Sequence, residues 1–100
     1  MRIPKKLKVG GHIYKVDDNY TFKERTDISG QAKHEDGHIR MTRKTQSGVP
    51  VTRSKMEQCF IHELLHCVDA TYNADKLDEE TIMRMSEGLY QVLNDNEMLL

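Results

Sequence analysis

Ser54-Lys-Met-Glu-Gln-Cys-Phe-Ile-His-Glu-Leu-Leu-His-Cys-Val-Asp-Ala-Thr-Tyr72 is the stretch on which the rest of this chain is organised. Ser54 with Glu57 three residues later has the form of a capping box, in which the serine oxygen accepts a first-turn N–H and the glutamate reaches back. Neither proline nor glycine follows until Gly88, so a long helix is predicted. At about 100° per residue, Phe60, Ile61, Leu64, Leu65 and Val68 gather on one side. His62 and His66 fall together on the other, one turn apart, because residues four apart are neighbours on a helix surface.

That pair of histidines sits in His62-Glu63-Leu64-Leu65-His66, an H-E-x-x-H pattern. Two imidazole nitrogens must converge at about 2.0–2.1 Å on a tetrahedral zinc ion, and an i, i+4 pair on a rigid helix does so with little ordering cost. Glu63 stands about 100° round from His62, beside such a metal, where a base acting on water belongs. The bland alternative is a solvated helix face that carries histidines by accident.

Two histidines leave a zinc site short of a protein ligand. A second helix is predicted from about Asp78 to Asn94, with Asp78 as its cap, Glu79 and Glu80 at its positive end, and an apolar face of Ile82, Met85, Leu89, Val92 and Leu93. Gly88 within it suggests close packing. The carboxylates available as third ligand are Glu79, Glu80 and Glu87, with Asp75 and Asp78 less well placed. With Glu79 set at 0°, that apolar face centres near 270°, about 90° from Glu79 but about 170° from both Glu87 and Glu80. Glu79 is therefore the choice, with Glu80 and Glu87 as alternatives. One zinc ion per chain is expected.

Other residues take roles by position. Asp69, one turn beyond His66, is a candidate to hold the second nitrogen of a histidine, or else a plain surface charge. Tyr72 and His38 are the candidate donors to a developing oxyanion. His34 and His38 flank a turn. Cys59, one turn before His62, reads as a small buried residue, and Cys59 and Cys67, about 12 Å apart along one helix, are too distant to bridge.

The first half reads as strands. Lys6–Val9 and His12–Val16 flank Gly10-Gly11; Gly30–His34 and His38–Thr42 flank Glu35-Asp36-Gly37; a further strand is suggested from Tyr20 to Arg25. A polar stretch, Arg43 to Arg53, leads to the helix. The expectation is an α+β fold over residues 1–100, one domain: a small, twisted, mostly antiparallel sheet of three or four strands on the H-E-x-x-H helix and a second helix. The strand His38–Thr42 is expected to hold an extended peptide along its edge.

Of the 100 residues, 37% are apolar and 31% charged, an ordinary composition for a chain with a modest core. No apolar run approaches the about 20 residues of a membrane span, and the start lacks a signal peptide's hydrophobic core, which predicts a cytoplasmic protein. The net charge of −1 hides an asymmetry. Residues 1–55 hold 13 Lys and Arg against 6 Asp and Glu, whereas residues 56–100 hold 2 against 10. Either the two layers attract each other, the favoured reading, or the basic half meets nucleic acid or an acidic protein.

On His62-Glu63-Leu64-Leu65-His66, the strands before it and the helix opening Leu77-Asp78-Glu79-Glu80, the chain resembles the small gluzincin-type zinc metallopeptidases. It is similar to the ImmA/IrrE-like group and the compact H-E-x-x-H proteins encoded by bacteria and bacteriophages. The resemblance implies a zincin-like fold, zinc on His62, His66 and a downstream glutamate, Glu63 as base, and hydrolysis of a peptide bond in an intracellular protein. The rival is a zinc-stabilised binding module that recognises a protein or nucleic acid through its basic N-terminal part and cleaves nothing.

Overall fold

A computed structural model describes residues 1–23 and 27–99. Six elements follow in order: β1 (Lys6–Val9), β2 (His12–Asp17), β3 (Gly30–Lys33), β4 (His38–Met41), α1 (Arg53–Tyr72) and α2 (Glu79–Asp95). The fold is α+β, with the four strands in one sheet of order β1-β2-β4-β3. Both predicted hairpins form. Val9 pairs with His12 across Gly10-Gly11, and Lys33 with His38. Gly10 and Gly37 adopt positive φ, as their turns require.

The two hairpins are joined by a parallel pairing of β2 with β4, through Lys15–His38, Val16–Ile39 and Asp17–Arg40. The sheet is therefore mixed, with two antiparallel pairings and one parallel pairing between them, and the parallel one was not expected. Hairpins announce themselves by turn residues, whereas a pairing between distant strands leaves no local mark. It also makes β3, not the expected His38 strand, the edge. Tyr20 N–H donates to the Met41 carbonyl at 2.9 Å, but Tyr20 to Lys23 form no strand, and residues 24 and 25 of that expectation lie outside the described residues.

The layers run sheet, α1, α2. The inner face of the sheet, with Val9, Tyr14, Ile39 and Met41, packs on Phe60, Ile61 and Cys67 of α1, while α2 packs on α1 rather than on any strand. Being the middle layer, α1 buries side chains on two sides, including Glu57, Glu63 and Asp69, which a one-sided helix would leave in water.

The start of α1 differs from the capping box. Thr52 is the cap and accepts from Lys55 N–H at 3.3 Å. Glu57 does not fold back, because its carboxylate is buried and engaged: Oε1 accepts from the Tyr90 hydroxyl at 2.7 Å, and Oε2 lies 3.0 Å from the Met1 ammonium. Asp78 caps α2 as expected, accepting from Thr81 N–H at 2.7 Å.

The packed face of α2 is not the predicted one. Ile82, Ser86 and Tyr90 are buried, while Met85 at 53%, Leu89 and Val92 are exposed. At about 100° per residue this rotates the buried stripe about 70° towards Glu79. Gly88 is exposed, and a methyl group there would meet nothing within 4 Å, so the expected close packing is absent.

Candidate metal centre

His62 and His66 project from the middle of α1 towards the first turn of α2. Their rings lie 5.0 Å apart between centroids, and both Nε2 atoms face a single carboxylate. Glu79 Oε1 is 2.7 Å from His62 Nε2, and Glu79 Oε2 is 2.9 Å from His66 Nε2. Contacts this short need a hydrogen on each nitrogen, or a metal ion in its place. Three side chains from two helices thus converge. This donor set, two imidazoles and one carboxylate, suits zinc.

The rotation of α2 explains the convergence. With the buried stripe centred near Ser86, Glu79 is only about 20° off the axis that faces α1. The alternatives are elsewhere: Glu80 accepts from Arg84 at 2.6 Å in solvent, and Glu87 is exposed.

Glu63 lies beside this point and has a different setting. The donor atoms of His62, Glu63 and His66 all fall within 4.8 Å of one another, a group able to hold a metal ion. Of the two carboxylates near the histidines, Glu79 is the one that contacts both rings. Glu63, only 5% exposed, is lodged against the sheet. A Cβ added to Gly30 would sit 3.0 Å from Glu63 Oε2 and 2.6 Å from Cys59 Sγ. Glycine at position 30 thus makes room for the carboxylate. Burial, and then the negative charge of Glu79, push the Glu63 carboxyl up to about 8. Cys59 and Cys67 are free thiols, each pushed up to about 12 by burial and then by Glu63.

The groups behind the site were only partly anticipated. Ser86, 24 residues downstream of His62, has its Oγ 3.4 Å from His62 Nδ1 and donates its own proton to the Met83 carbonyl at 2.8 Å. With that proton committed, the hydroxyl accepts from Nδ1–H, which leaves the Nε2 lone pair for a metal. Asp69 does not touch a histidine. Its buried carboxylate accepts from Asn73 Nδ2 at 2.8 Å and from Leu77 N–H at 3.2 Å, and its carbonyl accepts from Asn73 and Asp75 N–H. Asp69 ties down the α1–α2 loop, which sets where Glu79 emerges.

The site opens into a cleft of about 1300 Å³ between β3, the loop before α1, and the two helices. The edge strand β3 lines it through Gly30, Gln31 and Ala32, and His34 lines it too. His34 Nδ1 is 3.2 Å from the hydroxyl of buried Tyr14. The candidate oxyanion donors His38 and Tyr72 are not in this cleft. His38 lies on the outer face of the sheet against Arg40, and Tyr72, 71% exposed, packs by the Gly10 turn. His34 is thus the cleft histidine, and the alternation of its strand was the one signal that could have singled it out.

No family model, curated protein or solved structure matches this chain. Among the described residues no helix is long and apolar enough to cross a membrane.

Proposed function

We propose that this protein is a zinc-dependent metallopeptidase of the gluzincin kind, with the zinc held by His62, His66 and Glu79. The observation that carries the reading is the Glu79 carboxylate spanning both Nε2 atoms, at 2.7 and 2.9 Å, with a second, buried carboxylate alongside. Bound zinc supplies Lewis acidity and brings the pKa of a water towards about 7. A site with a purely structural metal has no use for a base at its side, whereas Glu63 is held there by the space at Gly30.

Glu63 accepts the proton of the attacking water and returns it to the leaving amine. An extended peptide runs along the free edge of β3, its backbone pairing with the strand as an added member of the sheet. His34 faces it from the end of that strand. When the Tyr14 hydroxyl donates to Nδ1, the ring proton stands on Nε2, ready to bond a substrate carbonyl oxygen.

The test is Glu63→Gln in zinc-loaded protein, assayed against a library of unstructured peptides. Metal content and fold are expected to stay, while cleavage falls by about 10²–10⁴, the range general-base catalysis supplies. Equal cleavage by the two proteins would overturn the assignment.

A further inference from the structure

Both helices lie on one side of the sheet, and the other side carries no element among the described residues. Alternation along the strands sends Lys6 and Lys8 of β1, Lys15 of β2, Lys33 of β3, and His38 and Arg40 of β4 to that outer face. Asp17 is its acidic exception. The register aligns these groups. Lys6 is opposite Lys15, Lys15 opposite His38, and His38 opposite Lys33, so one row of basic side chains crosses all four strands. Like charges directly opposite on neighbouring strands destabilise a sheet. Lys6 and Lys15 are such a pair. Among the described residues no carboxylate lies within salt-bridge distance of Lys6, Lys8, Lys15 or Lys33.

Beside the row is a shallow depression of about 210 Å³ walled by Lys15, Asp17, Tyr20, His38 and Arg40. The Arg40 guanidinium sits 4.6 Å from the Tyr20 ring centroid, and Tyr20 meets Phe22 edge to face at 4.9 Å. Arg40 Nη2 donates to His38 Nδ1 at 3.1 Å, since a guanidinium has no acceptor, so the His38 proton stands on Nε2 as a further donor.

We propose that this outer face is a binding surface for single-stranded nucleic acid. Four strands about 4.8 Å apart give the row a length of about 14 Å, and the four cations Lys6, Lys15, Lys33 and Arg40 set an upper limit of four phosphate contacts. Lys6, Lys15, Lys33 and Arg40 meet phosphates along it. Tyr20, with Phe22 behind it, offers a ring on which a base stacks, the combination of cationic track and aromatic platform by which single strands are held. The face presents no helix or ribbon to enter a duplex groove. The surface is independent of the metal centre, which opens on the other side of the sheet.

The test is fluorescence anisotropy with labelled 20-nucleotide DNA and RNA single strands, the matching duplex, and polyglutamate of equal charge. With four phosphate contacts, single-strand affinity is expected to fall about 50-fold between 50 and 200 mM salt. Lys6→Glu/Lys15→Glu/Lys33→Glu should abolish binding at 200 mM salt, single reversals should each weaken it severalfold, and Tyr20→Ala should lower the preference for single strand over duplex. Arg84→Glu, on α2, and Glu63→Gln should bind as the unaltered protein does, which keeps this outcome separate from the peptidase assay. No binding at 50 mM salt, unchanged binding in the triple and single reversals, or equal affinity for duplex or polyglutamate would overturn the proposal.

Discussion

Helices α1 and α2 are of similar length, yet they earn their places in opposite ways. α1 lies between the sheet and α2 and buries Glu57, Glu63 and Asp69 along with Phe60, Ile61 and Cys67. α2 lies outermost and buries one narrow stripe, Ile82, Ser86 and Tyr90, leaving Met85, Leu89 and Val92 in solvent. Besides Ile82 and the ring of Tyr90, which joins the core, what α2 offers α1 is polar: Glu79 to His62 and His66, Ser86 to His62, and the Tyr90 hydroxyl to Glu57. A middle helix must satisfy the polar groups it buries, and its outer neighbour is chosen for that task rather than for oiliness. Buried polar groups that find partners in this way hold geometry well, which is what a metal centre shared by two helices requires.

The sharpest way to break this comparison is to truncate each kind of apolar residue on α2. Ile82→Ala, at a fully buried position, is expected to cost about 2–5 kcal/mol in chemical denaturation. Leu89→Ala should change stability by no more than about 0.5 kcal/mol. Similar losses at the two sites would restore the face predicted from hydrophobicity.

Ser86→Ala sharpens the polar side of the comparison. Loss of the group that orients His62 should weaken zinc binding about 10–100-fold, with little change in the fold. Undiminished affinity would mean that Ser86 is there only to fill space.

Glu57 gives a smaller effect, legible in pH. Burial alone raises its carboxyl, but the hydrogen bond from Tyr90 and the Met1 ammonium outweigh it and hold the group below its ordinary 4.5. A depressed acid contributes stability above its unfolded value and loses it as pH falls through the folded one. Melting temperature should therefore drop as pH falls below about 4.5, and Glu57→Gln, which keeps an acceptor for Tyr90, should flatten that decline.

Residue by residue, what could be read in advance follows from range. The turns at Gly10 and Gly37, the Asp78 cap and the helical pitch that pairs His62 with His66 are local, and each carries its own chemistry. The approach of Glu79 to the two histidines was within reach because helical phase carries across a single short loop. The parallel junction of β2 with β4, the engagement of Glu57 by Tyr90 and the approach of Ser86 to His62 join residues 23 to 33 positions apart, and no pattern within either segment announces the other. The Ser54–Glu57 box misled for the same reason, since a distant tyrosine claimed the glutamate. Asp69 was seen as chemically loaded, but its partners, the loop amides of Asn73, Asp75 and Leu77, could not be told from a histidine one turn away.

The central claim is that α2 completes a metal site on α1 through Glu79, and calorimetric zinc titration of metal-stripped protein tests it most directly. The unaltered chain and Glu80→Gln should each bind one zinc ion with matching affinity, while Glu79→Gln binds far more weakly and His66→Ala not at all. Glu79→Gln binding zinc as tightly as the unaltered chain would contradict the claim.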